Sequence, residues 1–115
     1  MRMALVAGLR RLSCYAVVDS GSDHCVFPVQ FLRMLDLNPL ASPMETISGV
    51  ASAGVPTHYF HVEIDLQGMV RFPVYAGFTT GLDALGLGIL GQNGFFDWFH
   101  VHFKLPQRIY EIETF

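Results

Sequence analysis

Residues 59–66 alternate apolar and polar side chains along the whole segment. The apolar positions are Phe60, Val62, Ile64 and Leu66, and the polar positions between them are His61, Glu63 and Asp65. A period of two places each set on its own face of an extended chain, so the segment is predicted to be a half-buried strand. Gln67-Gly68 then marks a turn into residues 70–76, which predicts a β-hairpin.

Short apolar runs separated by turn residues indicate that strands dominate the rest of the chain as well. Two short helices are predicted, at residues 28–37, where proline suits the first turn, and at residues 94–99, where Asn93 is a candidate cap. About eight strands in all predict an all-β class with a closed or folded-over sheet. The further predicted strands are residues 3–7, 12–18, 86–91, 100–104 and 108–112.

The apolar content exceeds what one small core needs. At 115 residues the chain is expected to be a single domain over residues 1–115, yet 51% of it is hydrophobic and only 15% is charged. We therefore expect an apolar self-association surface or an apolar substrate cleft. A net charge of -3, with no run rich in Lys or Arg, argues against nucleic acid as a partner.

No apolar stretch has the length of a membrane span, because Arg, Asp or His interrupts each one. The N-terminal segment also lacks the apolar core of a signal peptide, so a cytoplasmic protein without a membrane partner is expected. Cys14 and Cys25 match no metal-ligand spacing. We interpret them as two buried free thiols rather than as an isolated disulfide.

Asp19 lies at the end of an apolar strand in the sequence Ala16-Val17-Val18-Asp19-Ser20-Gly21-Ser22. A carboxylate at such a place is costly unless several donors satisfy it. The hydroxyl groups of Ser20 and Ser22 and the N–H groups of the turn are candidate donors, and Gly21 permits a close backbone approach. Asp-Ser-Gly is also a common turn tripeptide, so this motif taken alone is structural more often than catalytic.

A second motif, Ile89-Leu90-Gly91-Gln92-Asn93-Gly94-Phe95-Phe96, follows later in the chain, and the glycine-flanked segment 49–54 lies between the two. With these three segments in this order, the chain resembles the retropepsins, the single-lobe retroviral-type aspartic peptidases, in their small bacterial form. The resemblance covers residues 12–113. It implies an acid-protease β-barrel with one or two short helices that forms a C2 homodimer.

The resemblance implies an aspartic endopeptidase. In such enzymes two carboxylates share one proton, because two like charges at close range do not both ionise. One carboxylate takes a proton from a water while its protonated partner polarises the scissile carbonyl. This chain has one Asp-Ser-Gly and is too short for two lobes, so Asp19 from each of two identical chains is expected to meet on the symmetry axis. No cofactor is implied.

The resemblance also assigns the residues around Asp19. Ser20, Gly21, Ser22 and Asp23 support the catalytic loop, with Ser20 bonding across the axis to the partner's backbone. Leu90, Gly91, Gln92 and Asn93 are structural residues near the site. A peptide or protein substrate is expected to bind to the flap and to neighbouring positions, namely Gly49, Val50, Ala51, Ser52, Ala53, Gly54 and Ile89. Phe27 and Phe78 are further candidates for apolar subsites, and Phe27 suits the core equally well.

Two positions refine these expectations. Gln92 stands where retroviral relatives usually carry an arginine, and it is expected to donate amide hydrogen bonds to Asp23. Ser22 is expected to donate its hydroxyl proton to the outer carboxylate oxygen of Asp19. Relatives also commonly have a longer opening strand than residues 1–7, so the dimer edge is expected to be incomplete there.

Two functions remain open on the sequence. The first is an active homodimeric endopeptidase, and the second is a retropepsin-fold dimer without efficient turnover that acts as a peptide-binding or assembly module. The fold alone does not separate them. A metal site is not predicted, because the pairs His58/His61 and His100/His102 have no third ligand apparent nearby.

Overall fold

The computed structural model describes residues 1–41, 44–47, 55–83, 85–104 and 109–114. These residues form nine strands and one short α-helix, α1 (Phe31–Met34). The sequence predicts an all-β class, and the structure is a mostly-β fold. The strands are β1 (Arg2–Ala7), β2 (Arg10–Val18), β3 (Val26–Pro28), β4 (Met44–Ile47), β5 (Val55–Leu66), β6 (Val70–Thr79), β7 (Gly88–Leu90), β8 (Phe99–Lys104) and β9 (Ile109–Thr114).

Seven strands form one mixed sheet in the order β1-β2-β7-β3-β6-β5-β4. The sheet closes because β1 pairs with β5 as well as with β2, which makes a six-stranded barrel, and β4 pairs with β5 as the seventh strand. Two pairs in the barrel, β2–β7 and β3–β6, are parallel. The predicted closed or folded-over sheet is therefore a closed one, and closure pairs strands that would otherwise be edges.

The β5–β6 hairpin confirms the predicted strand and its turn. Burial follows the predicted alternation only in part, because Tyr59 and Asp65 are buried and Phe60 is half-buried. The hairpin strands pair from Thr57↔Thr79 to Leu66↔Val70, and the inward side chains of Val62, Ile64 and Leu66 are buried. The turn uses two successive residues with positive φ, Gln67 (55°) and Gly68 (76°). Such a pair matches the right-handed twist of the flanking strands.

The first predicted helix is much shorter than residues 28–37. Pro28 ends β3, where it lies opposite Thr79, so the helix begins only at Phe31. The helix ends at Met34 because Asp36 adopts a positive φ of 57° and the Leu37 N–H donates to the Leu32 carbonyl oxygen at 2.9 Å. That bond and that backbone form are the usual way a helix is closed at its C-terminus.

The second predicted helix, at residues 94–99, is wrong. Residues 94–98 form turns, and Phe99 already belongs to β8. Gly94 has a φ of 114°, which a helix does not accommodate, and its N–H donates to Asp97 Oδ2 at 3.1 Å.

Aromatic side chains tie the β8–β9 pair to the barrel. Phe99 packs against Phe72 and Phe95, with ring centroids 5.2 and 5.0 Å away. All three rings are buried, and Val101 and Ile112 pack on the same core. Cys14 and Cys25 are buried free thiols, as expected. Within the described ranges, no helix is long and apolar enough to cross a membrane.

Candidate active site

The two sequence motifs lie side by side in the barrel wall. β2 and β7 run parallel, with Val17 opposite Ile89 and Val18 opposite Leu90. The register continues one step past the strand end, because the Asp19 N–H donates to the Leu90 carbonyl oxygen at 3.0 Å. Asp19 is therefore placed by the parallel pair β2–β7, while its own side chain is exposed.

The turn after Asp19 folds back onto its carboxylate. The Gly21 N–H donates to Asp19 Oδ1 at 2.8 Å, and the Ser22 N–H donates to the Asp19 carbonyl oxygen at 3.2 Å. An N–H donor to a carboxylate oxygen stabilises the ionised group and fixes its orientation. The result is an oriented carboxylate that stays open to solvent.

Residues 91–93 contact the backbone of this turn. The Gln92 and Asn93 N–H groups donate to the carbonyl oxygens of Ser22 and Asp23, each at 2.8 Å. Gly91 is required here, because a Cβ at its position would lie 2.5 Å from the Ser22 carbonyl oxygen and 2.4 Å from that of His24. The predicted structural role of the Leu90–Asn93 motif thus has a geometric basis, which is close backbone contact with the Asp19 turn.

Two of the predicted side-chain contacts are wrong. Ser22 is buried, and its hydroxyl donates to the His24 carbonyl oxygen at 2.8 Å rather than to Asp19. The Gln92 side chain donates Nε2–H to the Ser20 carbonyl oxygen at 2.8 Å rather than to Asp23. In both cases a backbone carbonyl is the acceptor, because the turn presents its carbonyl oxygens towards these side chains.

The strand β2 carries exposed apolar side chains next to Asp19. Tyr15 and Val17 are 62% and 50% exposed, while Cys14, Ala16 and Val18 between and beside them are buried. Tyr15, Val17 and Asp19 therefore follow one another on the outward face of the strand. Ile89, beside Val17, is half-buried.

The other predicted substrate positions divide into two groups. Phe27 and Phe78 are fully buried and pack on each other with centroids 5.9 Å apart, so they are core residues rather than subsites. The predicted flap, Gly49 to Gly54, lies outside the described residues, and the prediction stays as it was.

Two histidines pack on aromatic rings. His24 meets Tyr59 edge to face at 5.7 Å, and His61 lies 4.5 Å from Tyr75 between centroids. No cluster of three or more His, Cys, Asp or Glu side chains suited to a metal ion occurs in the part of the chain that the structure describes.

Comparison with protein-family models, with curated proteins and with solved structures found no match to this chain. Its function is therefore inferred from the residues and the geometry of the site.

Proposed function

We propose that this chain is one half of a retropepsin-like aspartic endopeptidase, in which Asp19 of two identical chains forms the catalytic pair. The observation that carries this proposal is the exposed Asp19 carboxylate at the end of the half-buried strand β2, held by its own turn and by the Leu90–Asn93 segment. An ordinary surface turn closes through its own hydrogen bonds. Here a second segment, distant in the sequence, holds the turn as well, and this indicates that the Asp19 carboxylate has to be placed precisely.

A single Asp19 does not complete the site. The reaction needs one carboxylate as base and one carboxylic acid as donor, and the chain has one Asp-Ser-Gly. A second copy related by a two-fold axis supplies the other, since a C2 contact brings the same surface of both chains together. The exposed Tyr15 and Val17 on the same face as Asp19 support burial of this region against a partner.

The chemistry then follows from the pair. The ionised Asp19 accepts a proton from water, whose oxygen attacks the carbonyl carbon of the scissile peptide bond. The protonated Asp19 of the partner subunit donates its proton to the carbonyl oxygen. The tetrahedral gem-diol then collapses and the C–N bond breaks. The first Asp19 gives the nitrogen the proton that it took from water, and one hydroxyl of the gem-diol gives its proton to the partner's Asp19. The amine and the carboxylic acid leave, and the carboxyl pair returns to its starting state. No cofactor is needed for this sequence of steps.

The proposed substrate is a peptide or protein segment in extended form. In this form its backbone bonds to the Asp19 turn on one side and to the Gly49–Gly54 segment, acting as a flap, on the other. An apolar sequence preference is expected around the cleaved bond, with Ile89 as a contact, because Ile89 is half-buried beside the exposed Val17. Location in the cytoplasm is part of the same proposal.

The test is cleavage of a peptide library by the purified protein and by its Asp19→Asn variant across about pH 4 to 7, with and without pepstatin. Asp36→Asn is the matched control, because Asp36 is an exposed carboxylate away from the site. We expect cleavage by the wild-type and Asp36→Asn proteins, inhibition by pepstatin, and none by Asp19→Asn. Cleavage that persists in Asp19→Asn contradicts the proposal. A dimer that binds peptides but cleaves none would instead be the peptide-binding or assembly module.

A further inference from the structure

We infer that Gln92 is a positioning residue for Asp19, acting through the peptide group between Ser20 and Gly21; this role in catalysis rests on the proposed function. Gln92 does not touch Asp19 itself. Its side chain holds the Ser20 carbonyl oxygen at 2.8 Å, and the N–H of the same peptide group, on Gly21, donates to Asp19 Oδ1 at 2.8 Å.

One planar group therefore connects Gln92 to the carboxylate. The C=O and N–H of a trans peptide point in opposite directions and turn together as a rigid unit. Fixing the oxygen of the Ser20–Gly21 peptide with Gln92 fixes the direction of its N–H, and hence the orientation of the Asp19 carboxylate. Hydrogen bonds in such a chain also polarise one another, so loss of the first weakens the second.

The peptide group has few other restraints on its rotation. Ser20 and Gly21 are both exposed, so side-chain packing does not fix them, and glycine accepts more backbone conformations than any other residue. Gln92 is itself well placed to act as the restraint. Its backbone N–H donates to the Ser22 carbonyl oxygen, and the preceding Gly91 is in close contact with the same turn.

The test uses two variants without the donor. Gln92→Met keeps the length of the side chain and carries no charge, and Gln92→Glu replaces the amide with a carboxylate. Gln67→Met is the matched control, because the Gln67 side chain makes the same type of contact elsewhere, from Nε2 to the Arg2 carbonyl oxygen at 3.4 Å. The readouts are the ¹H chemical shift of the Gly21 amide by NMR and the kcat and KM of peptide cleavage.

We expect the Gly21 amide proton to move upfield in both Gln92 variants, because its bond to Asp19 Oδ1 weakens. The kcat should fall about tenfold with KM changed less than about twofold, since the loss concerns orientation of the reacting group rather than binding. The Gln67→Met protein should match the wild type in all three quantities.

An unmoved Gly21 amide in Gln92→Met overturns the inference, as does an effect confined to Gln92→Glu, which would be one of charge. A fall in kcat together with a rise in KM and a loss of cooperative unfolding would make Gln92 a merely structural residue, and this result overturns the inference too. The NMR measurement needs no turnover. If the wild type proves inactive, the proposed function fails, and the Gly21 shift still decides whether Gln92 orients Asp19.

Discussion

Gly91 is the residue on which the position of the Asp19 turn depends most directly. A Cβ there would lie 2.4 Å from the His24 carbonyl oxygen and 2.5 Å from that of Ser22, and both are backbone atoms. No flexible side chain can move aside, so the turn itself would have to shift. The glycine of the Ile89-Leu90-Gly91 motif is thus explained by contact with a turn that is distant in the sequence.

We predict that Gly91→Ala lowers the free energy of unfolding by about 1–3 kcal/mol, the usual cost of forcing extra volume into a packed place. Urea unfolding measures it. Gly8→Ala is the control, because Gly8 has a φ of +59° but nothing within 4 Å of the added Cβ. It should cost about 1 kcal/mol from backbone strain alone. A Gly91 variant no less stable than the Gly8 variant would show that the contact is easily relieved.

The two thiols are predicted to be unreactive in the folded protein. Burial raises the pKa of both Cys14 and Cys25 from 9.0 to about 11. The thiolate is the reactive form, and a rise of two units reduces its fraction at pH 8 about a hundredfold. Alkylation by iodoacetamide followed by mass spectrometry should therefore be about a hundredfold slower than in the urea-unfolded chain. Equal rates in the folded and unfolded states would contradict the burial of these groups.

At the scale of the strands, an ion pair links β2 to β5 across the seam, which is the β1–β5 pair that closes the barrel. Arg11 on β2 reaches Asp65 on β5 at 2.6 Å, across β1, which lies between them in the sheet. The Asp65 side chain is only 9% exposed and also accepts from the Gly68 N–H at 2.8 Å. These contacts explain why the polar face predicted for β5 is partly buried.

We predict that Arg11→Gln destabilises the protein in a pH-dependent way. The hydrogen bond from Arg11 lowers the pKa of Asp65, the Gly68 N–H adds to the effect, and Arg71 lies 3.8 Å away. Because its pKa is lower in the folded protein, the ionised Asp65 stabilises the fold at pH values above its unfolded pKa of about 4. This stabilisation is lost as the pH falls through the folded pKa. The stability difference between wild type and variant should be full at neutral pH and shrink below about pH 4.

Urea unfolding at several pH values measures this dependence. Arg10→Gln is the control, because Arg10 and Asp36 are both exposed and 4.0 Å apart, and such pairs contribute little. A stability difference for Arg11→Gln that is the same at pH 3 and at pH 7 would mean that the ion pair does not stabilise the seam.

Local patterns were enough to predict the long strands and their hairpins. Residues 59–66 alternate strictly, and the Gln67-Gly68 turn needs no distant partner to be recognised. The strand β3 was missed, because its three residues run into Pro28, which is also a favourable helix start. Its extended form is imposed by pairing with Thr79 on β6, a contact that the local sequence does not show.

The candidate site divides in the same way. The apolar run Val17-Val18 before Asp19 was enough to predict that Asp19 lies at a strand end. The resemblance predicted that Leu90 lies near it. The acceptors of Gln92 and Ser22 were not predictable, because both are backbone carbonyl oxygens whose directions depend on the turn geometry. Gln92 and its acceptor on Ser20 are far apart in the sequence, and the short-range bond from Ser22 to His24 depends on how the chain turns between them.

For the whole molecule, one closed barrel presents one exposed Asp19 next to exposed apolar side chains. The sheet closes on itself through the β1–β5 pair, so the barrel is formed within one chain. The proposed chemistry does need a partner, since it takes two carboxylates. The central claim is therefore that catalysis belongs to the dimer and that each chain contributes one Asp19.

The most direct test is subunit mixing. Wild-type and Asp19→Asn chains are combined in equal amounts, dissociated and reassociated, with exchange checked by a mass tag, and peptide cleavage is measured per wild-type chain. Because a mixed dimer has only one Asp19, the mixture should retain about half the activity per wild-type chain. In the equal mixture with Asp36→Asn, every chain keeps Asp19 and every dimer is active, so the activity per wild-type chain should be about twice that of the wild type alone. Full activity per wild-type chain in the Asp19→Asn mixture would contradict a catalytic pair shared between two chains.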